Sequence, residues 1–135
     1  MTARGVVLDA CVLVNAAVRD TLLRLAQKGI YTPYWSDGII MELVRTLQRK
    51  MHKSPGQTAH LVEQLKLHFD DAWIREYESL LPKMQNDLKD RHVLACAVKS
   101  GARLIVTFNV RHFPLAALEP WLVEAQRPDD FLIDQ

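Results

Sequence analysis

Two short apolar runs, separated by almost the whole chain and each stopping on polar residues, constrain the fold most. Val6-Val7-Leu8 stops at Asp9, and Leu104-Ile105-Val106 stops at Thr107-Phe108-Asn109. A short run with no apolar/polar alternation suits a strand covered on both faces, and such strands belong to parallel sheets buried under helices. Parallel neighbours need long crossover connections, so the intervening chain should be largely helical.

It reads that way. Val18, Leu22, Leu25 and Ala26 recur at helical spacing, and Gly29 follows as a stop. Ile30 to Trp35 fits a short strand or extended entry, interrupted by Pro33. Ser36 offers an N-cap to a helix reaching about Met51, with Ile39, Leu43 and Leu47 as its apolar stripe. Ser54-Pro55-Gly56-Gln57 combines a Ser/Gln capping box with proline at the first helical position, and Leu61, Leu65 and Phe69 continue that helix. A short helix is expected around Arg75–Leu81, ended by Pro82. Asp87 to Lys99 is read as helix with Leu94, Ala97 and Val98 inward and Gly101 as stop. Strand, helices, helix, strand is an α/β order with a parallel sheet. No repeat, low-complexity tract or linker divides the 135 residues, so one domain spanning 1–135 is expected.

Composition narrows the class. A hydrophobic fraction of 49% with 24% charged residues is that of a water-soluble domain, and no stretch approaches the ~18 apolar residues of a membrane span. The apolar run after Met1-Thr2-Ala3-Arg4-Gly5 is short and lacks a small-residue cleavage site before Arg19 and Asp20, which reads against a signal peptide. Cys11 and Cys96 each sit among apolar neighbours, as buried thiols in a reducing cytoplasm would. A net charge of +1 neither favours nor excludes nucleic acid.

Asp9 follows the first strand, where open parallel sheets carry their ligand sites. Asp90 falls in the first turn of the helix feeding the second strand, which itself ends near Asn109. Glu42 lies one residue from the apolar stripe of its own helix. If these helices pack over one sheet edge, Asp9, Glu42, Asp90 and Asn109 converge. Crowded carboxylates repel and are tolerated chiefly around a divalent cation, and oxygen donors favour Mg2+ or Mn2+. Each residue also has a plainer role: Asp9 as a cap, Asp87 as an N-cap, Asp90 as a first-turn acid, Glu42 as a solvated charge, Asn109 as a turn residue. Arg45 and Arg49 lie three and seven positions after Glu42, as an RNA-binding track or as salt-bridge partners. The histidines at 52, 60, 68, 92 and 112 have no zinc-ligand spacing, and no phosphate loop or nucleophile elbow is present.

The ordered set of segments resembles PIN-domain proteins, most closely the bacterial branch that includes VapC-like toxins. The matching pieces are Val7-Leu8-Asp9-Ala10-Cys11-Val12-Leu13, Arg19 to Ala26, Trp35-Ser36-Asp37 with Glu42-Leu43-Val44-Arg45, Lys89 to Ala97, Ile105 to Pro114, and Pro128 to Leu132. The resemblance implies a three-layer α/β/α sandwich with a central, mainly parallel sheet. It further implies a cytoplasmic, metal-dependent endoribonuclease that uses Mg2+ or Mn2+ to hydrolyse RNA. A cognate antitoxin protein and a homodimer are its implied partners, and a membrane is not among them. By residue, Asp9, Glu42 and Asp90 match the acidic metal positions, with Asp87 as an outer-shell acid. Asn109 stands where many relatives carry a further aspartate, a departure that weakens the case for a second metal.

Two other phosphate-handling folds also begin with an aspartate after the first strand. A haloacid-dehalogenase-type phosphotransferase needs a second aspartate two residues on, where this chain has Cys11. A response-regulator receiver needs an acidic pair and a late lysine, against which stand Ala10 and Asn109. The remaining alternative is a catalytically weak or inactive PIN-fold module that binds RNA or a protein partner.

Overall fold

The computed structural model describes residues 4–135; the first three residues of the N-terminal segment read above lie outside them. Four parallel strands form one sheet in the order β2-β1-β3-β4. They are β1 (Gly5–Leu8), β2 (Thr32–Tyr34), β3 (Leu104–Val106) and β4 (Glu124–Gln126). The helices are α1 (Ala10–Val14), α2 (Ala16–Gln27), α3 (Asp37–Lys50), α4 (Pro55–His68), α5 (Arg91–Ser100), α6 (Leu115–Leu118) and α7 (Pro128–Ile133). The sheet is the parallel one expected from the two apolar runs, and with its flanking helices it is the α/β/α sandwich that the resemblance implies.

β1 and β3 are the central strands, with Val6 paired to Leu104, Val7 to Ile105 and Leu8 to Val106. All six are buried, which explains why neither run alternates. β2 is an edge strand, and the edge is what admits Pro33, since a proline there forfeits no ladder bond inside the sheet. Polar β4 closes the opposite edge.

Local signals behave as the residue types require. Ser36 accepts from the Ile39 amide at the start of α3. The Ser54/Gln57 capping box is complete in both directions. Gly29 and Gly101 take positive φ just beyond α2 and α5, the left-handed conformation that ends a helix at least cost in glycine. Between α4 and α5 the chain departs from expectation. Pro82 does not end a helix there but lies inside a 3-10 turn, Glu78–Lys83. So short a turn makes few i→i+3 bonds, and a missing N–H is tolerated. The helix expected from Asp87 begins instead as a 3-10 turn, Leu88–Asp90, before α5 proper.

The core runs from the central strands through Leu13, Leu43 and Leu94 to Tyr31, Trp35 and Phe131. Tyr31 meets Phe131 edge-to-face at 5.1 Å between ring centroids, tying α7 to the entry of β2. The rigid centre of the molecule is therefore the β1–β3 pair, and both strands end at the same edge.

Candidate functional site

The chain leaves β1 towards β2 on one side and leaves β3 towards β4 on the other. Such a reversal opens a crevice outside the carboxyl ends of the two neighbouring strands. Asp9 is the first residue beyond β1, and its amide donates to the Val106 carbonyl at 3.1 Å, prolonging the central ladder. The residue is only 2% exposed. Oδ1 accepts from the Ala10 amide at 2.8 Å and Oδ2 from the Thr107 hydroxyl at 2.9 Å. Asp9 thus caps α1 at the carboxyl end of β1.

Asp90 sits at the junction of the 3-10 turn and α5, where its backbone is held from both sides. Its amide donates to the Asp87 carbonyl at 2.9 Å, and its carbonyl accepts from the buried Asn86 carboxamide at 2.9 Å. Asp87 caps the turn through the Lys89 amide. The Asp90 side chain makes no capping bond; its Oδ2 lies 2.7 Å from Nδ1 of His112 in the turn after β3. Glu42 reaches the crevice from α3, half-buried, one helical turn beyond Gly38.

The electrostatics record this crowding. Burial, then the charge of Asp90, then that of Glu42 push the Asp9 carboxyl up from 3.8 to about 6, against the lowering effect of its hydrogen bonds. Glu42 is also raised, by burial and by Asp90, while Arg45 and Lys89 oppose the shift. Burial lowers the His92 imidazole despite the attraction of Asp9 and Asp90, which favours its neutral form. Acids that are buried and crowded in this way are chemically suited to a cation, which offsets both effects.

Asp9, Glu42 and Asp90, read from the sequence as candidate metal ligands, are brought into electrostatic contact. Asp87 lies beside Asp90 and His112, each offering a ligand atom within 4.8 Å of the others. Arg45 is close enough to act on Glu42, as is Lys89, which sequence reading did not single out; Arg49 is exposed further along α3. Asn109 donates its amide to the Thr107 hydroxyl and accepts at its carbonyl from the His112 amide, while its side chain makes no hydrogen bond among the described residues. Cys96 is fully buried, but Cys11 is half-buried at the crevice, with its Sγ 3.8 Å from Asp9 Oδ2 and accepting from the Phe108 amide.

Two histidines were missed. Glu42, Asp90 and His92 offer one ligand atom each within 4.8 Å of one another, and His112 belongs to the neighbouring group with Asp87 and Asp90. No local spacing announces them, because they come from α5 and from a turn twenty residues later. The groove between α2 and α4, lined by Arg19, Leu23, Leu61 and Leu65, shares no residue with this cluster.

A four-stranded parallel sheet with acids gathered at the carboxyl ends of its central strands is the arrangement of a PIN domain. The chain matches the PIN-domain family model over residues 5–111 and belongs to that family. Over 59 residues it is 54% identical to "Putative ribonuclease VapC50" of Mycobacterium tuberculosis. That segment is 44% of this chain and 35% of the relative, so the match spans about a third of the relative's length.

Proposed function

We propose that this chain is an Mg2+- or Mn2+-dependent endoribonuclease and acts in the cytoplasm as the toxin of a toxin–antitoxin pair. The observation that carries the reading is the convergence of Asp9, Glu42 and Asp90, from three distant stretches of sequence, at the crevice beyond β1 and β3. Membership of the PIN family and the ribonuclease named in the similar mycobacterial protein support it.

The residues fit a divalent cation. Their donors are mainly hard oxygens, the acids repel one another when unneutralised, and a buried His92 ring nitrogen has no hydrogen-bond partner. Asp9, Glu42 and Asp90 would hold the ion, with Asp87 as an outer acid. A bound cation supplies charge neutralisation, activation of water and stabilisation of the scissile phosphate. The protein does the positioning. The Thr107 hydroxyl and Ala10 amide fix Asp9, His112 and Asn86 fix Asp90, and Arg45 and Lys89 offer positive charge to an RNA backbone at the rim. With Asn109 in place of a fourth carboxylate, one dication leaves the three acids about −1 in formal charge, so a second ion gains less. The partners proposed are RNA, a cognate antitoxin that would cover the crevice, and a second copy of the chain.

Purified protein should cleave single-stranded RNA with Mg2+ or Mn2+ and stop on chelation. Asp90→Asn and Glu42→Gln should each slow cleavage on the order of a hundredfold or more, as loss of a transition-state group does. Cleavage that survives chelator, or survives both substitutions, sinks the mechanism. The toxin role has its own check: induced wild-type protein should arrest bacterial growth, and Asp90→Asn should not.

A further inference from the structure

We propose that His92 is a direct nitrogen ligand of the cation held at Glu42 and Asp90, making this a mixed nitrogen–oxygen site that prefers Mn2+ to Mg2+. The inference rests on the metal reading above and adds to it the identity of a donor and the ion that donor selects.

Glu42, Asp90 and His92 each present a ligand atom, and all lie within 4.8 Å of one another. Around an octahedral ion at about 2.1 Å, adjacent donors stand about 3.0 Å apart and opposite ones about 4.2 Å, so closure asks for shifts of up to ~1.8 Å. Side-chain rotation supplies that without moving a helix.

His92 is half-buried, and the burial of one of its ring nitrogens makes little sense as packing alone. Its Nδ1 is shut away from solvent and has no hydrogen-bond partner. An imidazole nitrogen buried for structural reasons normally donates or accepts a hydrogen bond, and leaving it unmet is unfavourable. A cation, or a water on it, would meet that need.

Gly38 independently points the same way. A Cβ at residue 38 would lie 3.1 Å from His92 Nδ1 and 3.2 Å from the Tyr77 hydroxyl. The absent side chain therefore makes the space the imidazole occupies against α3. Gly38 and Glu42 are four residues apart on that helix and share a face. The ring is seated on the surface from which Glu42 projects, with Asp90 two residues before it at the start of α5. Two helices, α3 and α5, thus bring one nitrogen and two carboxylates within 4.8 Å of one another.

The donor set decides the ion. Mg2+ is a hard cation that keeps its waters and takes oxygen ligands, whereas imidazole binds Mn2+ and later first-row metals better. A site with one imidazole should therefore hold Mn2+ more tightly than an all-carboxylate site of equal charge.

The test is pulsed electron paramagnetic resonance on the full chain loaded with Mn2+, beside calorimetric titration with Mn2+ and Mg2+. Wild type should show 14N modulation from a coordinated imidazole. In His92→Gln that modulation should vanish and Mn2+ affinity should fall about tenfold or more, while Mg2+ affinity changes less than about threefold. Gly38→Ala, which keeps every donor but crowds the ring, should narrow the Mn2+/Mg2+ preference in the same sense. Asp90-dependent Mn2+ binding without 14N modulation, or modulation that persists in His92→Gln, overturns the assignment of His92 and leaves the carboxylate centre standing. No Mn2+ binding, or binding indifferent to both Asp90→Asn and Glu42→Gln, overturns the centre itself.

Discussion

Nδ1 of His112 and Oδ2 of Asp90 lie 2.7 Å apart, bridging the turn after β3 and the start of α5. The bond occupies one carboxylate oxygen and fixes the plane of the group. An asparagine can place an amide donor near the position of Nδ1, while phenylalanine keeps the bulk and removes the donor. His112→Phe should therefore lower kcat about tenfold and weaken metal binding, whereas His112→Asn should stay within a few-fold of wild type. Cleavage rates and Mn2+ titration check this. Equal losses in two folded variants would reduce His112 to packing.

Asp9 makes the metal-free protein sensitive to pH. Its folded value of about 6 lies above the ordinary 3.8, so the native state binds the proton more tightly than the unfolded chain. The associated stability is full below about pH 4 and is lost as pH rises through 6, an effect of up to about 3 kcal/mol. Chelated protein should accordingly unfold at lower urea concentration at neutral pH than near pH 5. Mn2+ should remove the difference by stabilising the ionised acids, and Asp9→Asn should flatten the slope. A wild-type profile that is flat without metal would contradict the buried, crowded carboxyl.

The cysteines should be inert. Burial and the neighbouring Asp9 charge push the Cys11 thiol up to about 11, and burial pushes Cys96 to about 12. Thiolate is the reactive form, so neither residue should be alkylated appreciably in native protein at pH 8, and both should react in denaturant. The Cys11→Ser, Cys96→Ala double variant should retain cleavage within a few-fold, since serine keeps a hydroxyl where Cys11 meets Asp9 and Thr107. Rapid native labelling of Cys11, or loss of activity in a folded double variant, would show a thiol taking part in the chemistry.

The strands that position the crevice were legible because burial on both faces leaves an unbroken apolar signature at Val6–Leu8 and Leu104–Val106. The α3 and α4 starts were legible because Ser36 and Ser54 cap them by local bonds. β4 was not, since Glu124-Ala125-Gln126 is a three-residue edge strand, with one exposed and two part-buried residues, whose identity comes from its neighbour. Pro82 does not mark a helix end because a proline that would break an α-helix is tolerated inside a short 3-10 turn. At the crevice, Asp9, Glu42 and Asp90 could be picked out by their places relative to strands and helices. His92 and His112 could not, because their relation to those acids exists only after α3, α5 and the turn beyond β3 have packed. The trace of His92 in the sequence is indirect: a glycine at 38, one turn before Glu42, that no turn requires.

The pairing of Asp9 with Thr107 joins residues 98 positions apart, and the β1–β3 ladder beneath it is equally non-local. During synthesis a nascent chain carries Asp9 and Glu42 well before it carries β3, and Asp90 shortly before it. Until residues 104–107 emerge from the ribosome, β1 lacks its central neighbour and Asp9 lacks the hydroxyl that orients it. Contacts this distant in sequence form late, after the chain has paid its loop-closure entropy. On the proposed ribonuclease reading, a partly made chain should thus be harmless to the RNA surrounding it, with competence arriving only once translation has passed the second apolar run.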